Sequence, residues 1–320
     1  MRNVTLIGLV AGLVSAVVFV SASVGPLPMR AALYFLAPHP LYVAGLGWGW
    51  RAALAGGIAA TLAVGGATGH ALGAITYCGV EAAPAVLLTY LATLHRTVAA
   101  APGGTPAVEW YPIGRLVIWT ALISAVLSLV TVAVLGESRE ALIDALKKLA
   151  EDVIENRGTD GKPADKQAAG NLASILYALL PFASAVSWMA SILANLWTAG
   201  RITAASGRMQ RPWPDIPSMT YPPGTPLLLA LALGAWMLPE PVGRIGAAFS
   251  GGMMFAYVLV GLAIVHFVTR GQPWRPFVLW ALYLALIVLN TAASVLIALL
   301  GLAESFKQFR RDASSGPTET

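Results

Sequence analysis

The sequence is poor in charge and nearly empty of cysteine. Only 11% of its 320 residues are Asp, Glu, Lys or Arg, against about 25% in a soluble domain. With 57% hydrophobic residues and a mean hydropathy of +0.72, that scarcity excludes an ordinary water-soluble globule and implies a membrane protein of several spans. One cysteine, Cys78, excludes an internal disulfide. Inside an apolar run it reads as a small packing residue. Four histidines and that cysteine show no metal-ligand spacing, so no metal site is expected. There is no HExxH, no GxSxG, and no apolar segment holding two acidic residues. Gly161-Lys162 is followed by Pro163 and lacks the earlier glycine of a phosphate-binding loop. No catalytic residue and no cofactor is therefore expected, and the chain reads as a non-enzyme. The formal charge of +5 is scattered over loops, which argues against a nucleic-acid partner. These charges read instead as membrane-topology signals. Fifteen Arg against five Lys, with much Ala and Gly, is the composition of a GC-rich bacterial genome. The expected location is the bacterial cytoplasmic membrane.

What is present is a succession of apolar segments. Residues 4–24 open it, after Arg2. That run exceeds the roughly 7–15 residues of a signal-peptide core, so it reads as a retained helix with a cytoplasmic N-terminus. Others follow at about 31–50, 52–69, 71–94, 116–135, 171–198, 227–238, 243–268 and 277–302. A straight crossing takes about 20 apolar residues, so the shorter segments are tilted, broken or re-entrant. The expected fold class is all-α, a polytopic transmembrane helical protein of eight or nine spans. Residues 137–170 differ, with eight acidic and six basic side chains. Leu142, Leu146, Leu149 and Val153 form a helical stripe there, with Ser138 as the cap and Gly158 as the stop. The sequence divides into an N-terminal transmembrane lobe (1–136), this polar amphipathic insert (137–170), C-terminal transmembrane helices (171–303) and a basic, disordered tail (304–320). Residues 95–115 and the Pro-rich 201–226 read as loops.

Unusual residues gather between Tyr34 and Leu94. Pro38-His39-Pro40 imply a broken helix, tolerated at membrane depth only where protein covers the freed backbone. Glu81 follows ten residues of its apolar segment. A buried carboxylate there is costly unless something polar meets it. Two readings fit: an ion pair with Arg51 or Arg115, or contact with a ligand or proton. His39 reads as a turn residue or a pocket residue, and Trp48 and Trp50 as interface anchors or pocket walls. Gly8, Gly12 and Ala16 lie four apart, the stripe of a close helix contact, either inside the chain or with a membrane partner subunit. Asn195 and Asn290 are expected to hydrogen-bond between helices.

Two stretches carry a resemblance. GLAIVHFVTRGQPWRPFVLWALYLAL (residues 261–286) and GLAESFKQFRRD (residues 301–312) resemble the bacterial DUF2232, or YybS-like, family. That family closes with a Gly, an acidic residue and a Phe-x-Arg-type ending, here Gly301, Glu304 and Phe309-Arg310. PHPLYVAGLGWGWRAALAGG is similar to its Pro-rich second and Gly-rich third helices. The resemblance implies an N-terminal lobe like the S components of energy-coupling-factor transporters, which bind a small molecule and dock on a membrane scaffold through the first helix. Gly8, Gly12 and Ala16 match that docking surface. Glu81, Arg51, Trp48 and His39 would line the pocket for a small-molecule solute. The alternative is a non-transporting membrane scaffold for an envelope or signalling complex. In that case the polar helix at 138–156, the Pro-rich loop and the basic tail are the working surfaces.

Overall fold

The structure is a computed structural model that describes residues 2–98, 107–135, 139–157 and 166–307. Ser138, Gly158 and the tail beyond 307 lie outside the described residues. Packing divides the chain into two units: residues 1–120 with 190–221, and residues 121–189 with 222–320. Among the described residues five helices are long and apolar enough to cross a membrane, beginning at residues 3, 71, 113, 166 and 242, and two shorter apolar helices span Thr225–Trp236 and Arg275–Val288. Sequence had counted eight or nine apolar segments. The difference lies in segments that are short or that the structure breaks in two, and in the unbroken 19-residue helix Trp50–Thr68, whose hydropathy is diluted by Arg51 and glycine.

In the first unit, helix α1 (Arg2–Ser21) has two faces. Leu6, Val10, Leu13 and Val17 are 54–66% exposed, while Gly8, Gly12, Ser15 and Ala16 are buried. The buried face lies on α4 (Trp50–Thr68). A Cβ at Gly8 would collide with the Ala52 carbonyl, and one at Gly12 with Gly56. Small residues thus bring two backbones into contact, the packing that lipid favours between helices. The stripe is occupied within the chain.

The segment at 31–50 is two helices, α2 (Leu27–Leu36) and α3 (His39–Trp48). Pro38 and Pro40 have no N–H to offer the preceding turn. Carbonyls at the break find donors elsewhere. Ser15 Oγ donates to Ala37 O at 2.5 Å, and Asn195 Nδ2 donates to Phe35 O at 2.7 Å. Asn195 therefore makes the interhelical bond expected of it. Gly49, at φ 94°, turns the chain sharply from α3 into α4, a conformation that favours glycine. The span 71–93 runs as α5 (Ala71–Tyr77), a π-helical turn (Cys78–Ala82) and α6 (Ala83–Thr93). Pro84 accounts for the turn. Its ring clashes with the carbonyl four residues back, and the wider turn lets Ala83 N–H reach Cys78 O. Cys78 is exposed on this turn rather than packed.

Residues 95–110 contain a hairpin, not only a loop. Strands β1 (His95–Val98) and β2 (Ala107–Trp110) pair antiparallel, His95 opposite Trp110. Arg96 and Glu109 form an exposed ion pair at 2.6 Å. Half-buried Arg211 donates through Nη1 to Ala92 O at 3.1 Å and Tyr111 O at 3.3 Å. It thereby serves a carbonyl at the C-terminal end of α6.

The second unit is built around α11. Helix α7 (Ile113–Leu135) enters it from residue 121, followed by α8 (Arg139–Arg157) and the first part of α9 (Lys166–Ala205). Then come α10 (Thr225–Trp236), α11 (Val242–Val268), α12 (Arg275–Val288) and α13 (Thr291–Lys307). Two-thirds of the apolar window of α11 is buried (67%), against 22% for α1, which makes α11 the central helix of its unit. Its glycines touch four neighbours. A Cβ at Gly246 would strike Trp236 of α10, at Gly251 Phe182 of α9, at Gly252 Ala121 of α7, and at Gly261 Ile297 of α13. On α8 the covered side chains are Leu142, Leu146 and Ala150, whereas Leu149 is 52% exposed. Ile143 is half-covered as well, and the side chain of Val153, the last of the expected stripe, lies outside the described residues. The segment at 277–302 breaks at Asn290, which is exposed at φ 37°. Asn290 serves a turn there and not an interhelical bond. Its backbone carbonyl accepts Ser294 N–H at 2.9 Å.

Candidate functional site

Glu81 sits on the π turn and is 2% exposed. Its Oε1 has no hydrogen-bond partner among the described residues. Neither Arg51 nor Arg115 pairs with it. Both arginines are exposed, and the ion pairs among the described residues join Arg96 to Glu109, Lys147 to Asp144 and Arg244 to Glu240. An unpaired acid in an apolar interior costs several kcal/mol if charged, so this position is not explained by packing.

The surroundings are phenolic. Tyr77 stands one helical turn before Glu81 on the same span, Tyr42 is buried on α3, which packs on α6, and Tyr34 is half-buried on α2. Tyr77 OH is hydrogen-bonded to Ser15 Oγ. The Ser15 hydroxyl has one proton, committed to Ala37 O, so Tyr77 is the donor. Phe19 meets Tyr77 edge-on at 5.1 Å and Tyr34 at 5.6 Å. Along one side runs a polar seam. Asn195 and Ser191 reach Phe35 O, and Thr198 Oγ1 lies 3.4 Å from His39 Nδ1.

The four residues expected to share a pocket fall at two levels. Trp50 packs against Tyr90 at 5.6 Å, and a Cβ on Gly57 would lie 3.2 Å from that of Ala82. Helix α4 therefore runs antiparallel to the 71–93 span. Arg51, in the first turn of α4, lies near the level of Tyr90, nine residues and about 13 Å along the axis from Glu81. Trp48, at the far end of α3, belongs with it. His39 begins α3, at the Glu81 end. Arg51 stacks on Trp50 at 5.7 Å, an arrangement suited to an interface anchor. The structure thus sets Trp48 and Arg51 apart from Glu81, and places His39 at the break between α2 and α3, beside Thr198 of α9. Tyr42, Tyr77 and Ser15 complete the site and were not singled out in the sequence. Tyrosine and serine are too common in apolar helices to signal by themselves. Among the described residues no cluster of His, Cys, Asp or Glu could hold a metal ion.

Comparison with known families gives one result. The family described as predicted membrane protein (DUF2232) matches residues 13–305, nearly the whole chain, and the chain belongs to it. Neither a curated protein nor a solved structure matches.

Proposed function

From membership in a membrane-protein family, we propose that the N-terminal unit binds a small polar solute as part of a transport process, with Glu81 as the central contact. The supporting observation is the buried carboxylate whose Oε1 has no hydrogen-bond partner among the described residues. A solute that offers a cation or an N–H or O–H donor to Glu81 would meet that oxygen. Its apolar or aromatic body would lie against Tyr34, Tyr42 and Tyr77. The π turn supports the same reading, because such turns are frequent at functional sites. A likeness to S components is part of this proposal. With Gly8 and Gly12 occupied by α4, a partner subunit would meet the outward Leu6–Val10–Leu13–Val17 face of α1 instead. The chain has no nucleotide motif in its sequence, so energy would come from that partner or from a gradient.

The test is native mass spectrometry of the full-length protein and of Glu81→Gln, read for a co-purified small molecule. The expected result is a bound metabolite on the wild type, reduced tenfold or more in Glu81→Gln, while the variant stays folded and inserted. A stoichiometric protein partner with no small molecule would overturn the solute reading and favour the scaffold. Loss of folding in Glu81→Gln would make Glu81 structural.

A further inference from the structure

The second unit holds a cavity of about 180 Å³ beside the α10–α11 turn, room for about six waters at roughly 30 Å³ each. Tyr177, Pro181, Trp236, Leu238, Glu240 and Arg244 are among its walls. Arg244 Nη2 donates to Tyr177 OH at 2.8 Å and to Glu240 Oε2. The guanidinium also lies over the Tyr177 ring, 5.9 Å from its centre. A guanidinium has five N–H donors. Those on Nε and Nη1 have no partner among the described residues, and Glu240 accepts through one oxygen only. Arg244 and Glu240 are 32% and 39% exposed, so the pair is open and not sealed in the core. An arginine in the first turn of α11 is disfavoured by the helix dipole, so helix chemistry does not account for it.

Next to the cavity wall at Leu238 the chain forms an apolar, bare edge. Met237 is 88% exposed, Leu238 54%, Val242 42% and Ile245 44%. In a membrane protein such an edge meets acyl chains. The cavity therefore joins a charged floor to a hydrocarbon-compatible edge. The two charges decide which head fits. Arg244 and Glu240 are in contact and sum to zero, so a net-anionic head meets Glu240 as closely as it meets Arg244. A zwitterion satisfies both.

We propose that this cavity binds the headgroup of a zwitterionic amino-phospholipid. Its phosphate accepts a charge-assisted hydrogen bond from Nη1 of Arg244, since both protons of Nη2, the nitrogen shared by the two fork faces of a guanidinium, are taken by Tyr177 and Glu240. Its ammonium is taken by Oε1 of Glu240. Trp236, stacked on Phe182 at 5.4 Å, forms a fixed wall. The acyl chains lie along Met237, Leu238, Val242 and Ile245.

The test reconstitutes the full-length chain in bilayers of equal phosphatidylethanolamine, phosphatidylglycerol and phosphatidylcholine, then counts retained lipid by native mass spectrometry. Wild type is expected to retain phosphatidylethanolamine over phosphatidylglycerol. Arg244→Gln is expected to lower that retention roughly tenfold or more, the usual effect of losing charge-assisted bonds. Glu240→Gln leaves the cation alone and is expected to turn the preference toward phosphatidylglycerol. Tyr177→Phe, which removes only a hydroxyl, is the mild variant that carries the test if Arg244→Gln fails to fold. It is expected to cost severalfold. Soluble O-phosphoethanolamine serves as competitor. Displacement of the lipid at millimolar concentration would show the same head chemistry arriving from water, and no displacement ties it to the bilayer. Equal retention of the three lipids by wild type, or an unchanged preference in Glu240→Gln, overturns the proposal.

Discussion

The two units use one packing device, and Glu81 of the first and Glu240 of the second stand in opposite surroundings. Each has a helix whose glycines press against neighbouring backbones. In α1 those glycines face α4 alone, and the other side is left to Leu and Val. In α11 they face α7, α9, α10 and α13 in turn. Each unit also keeps a carboxylate near a phenol. Glu81 is buried with an unmatched oxygen, while Glu240 is open and paired with Arg244. Close packing sets the architecture in both, and the second unit also buries an acid, Glu304 on α13, at 8% exposure; what sets Glu81 apart is its place on a π turn. That contrast is why the solute site is placed there.

The contrast can be broken by substitution, most sharply on the glycines. Gly251→Val should cost about 3 kcal/mol or more in the C-terminal unit, because its Cβ meets Phe182 backbone that cannot yield. Thermal unfolding in detergent measures it. Gly12→Val should do comparable damage through Gly56, and a markedly smaller loss would show that α1 can shift where α11 cannot. Next, Ser15→Ala should cost about 2–3 kcal/mol, since it leaves Ala37 O and Tyr77 OH without each other's bridge. Asn195→Ala should cost about 1–2 kcal/mol, with Ser191 still near Phe35 O at 3.4 Å. Smaller still is Gly66→Ala on α4. No atom lies within 4 Å of the new methyl, so the unfolding midpoint should rise, by up to about 1 kcal/mol of helix propensity. A fall there would mean that the surface of α4 is covered by something outside this chain.

Much of this was legible in the sequence, and the gaps have physical causes. Pro38 and Pro40 announced the broken helix, and Asn195 the bond that mends it, because both effects are local chemistry. The Gly8–Gly12–Ala16 stripe announced a close contact but not its owner, since spacing reports distance and not identity. Glu81 was found because an acid in an apolar run is conspicuous. Which residues share its level is not legible from spacing, because the turn at Gly49 places Trp48 at the end of α3 and Arg51 at the start of α4. The hairpin was missed beneath its loop, although Thr97, Val98, Val108 and Trp110 flanking a Pro-Gly-Gly run are strand chemistry. Asn290 was read as a side-chain bond because its backbone role shows only in φ. The Arg244 cavity was missed because Tyr177 lies 67 residues away. The Glu240–Arg244 spacing of four was the one available sign.

The mended break at Pro38 has a consequence for how the protein is made. Asn195 is 160 residues downstream of the carbonyl it serves. At about 5–20 residues per second of synthesis, some 8–32 s pass before it emerges. Through that interval the nascent chain sits in the bilayer with its polar notch lacking its final donors, and the insertion machinery or a water molecule must stand in until the ninth helix arrives to close it.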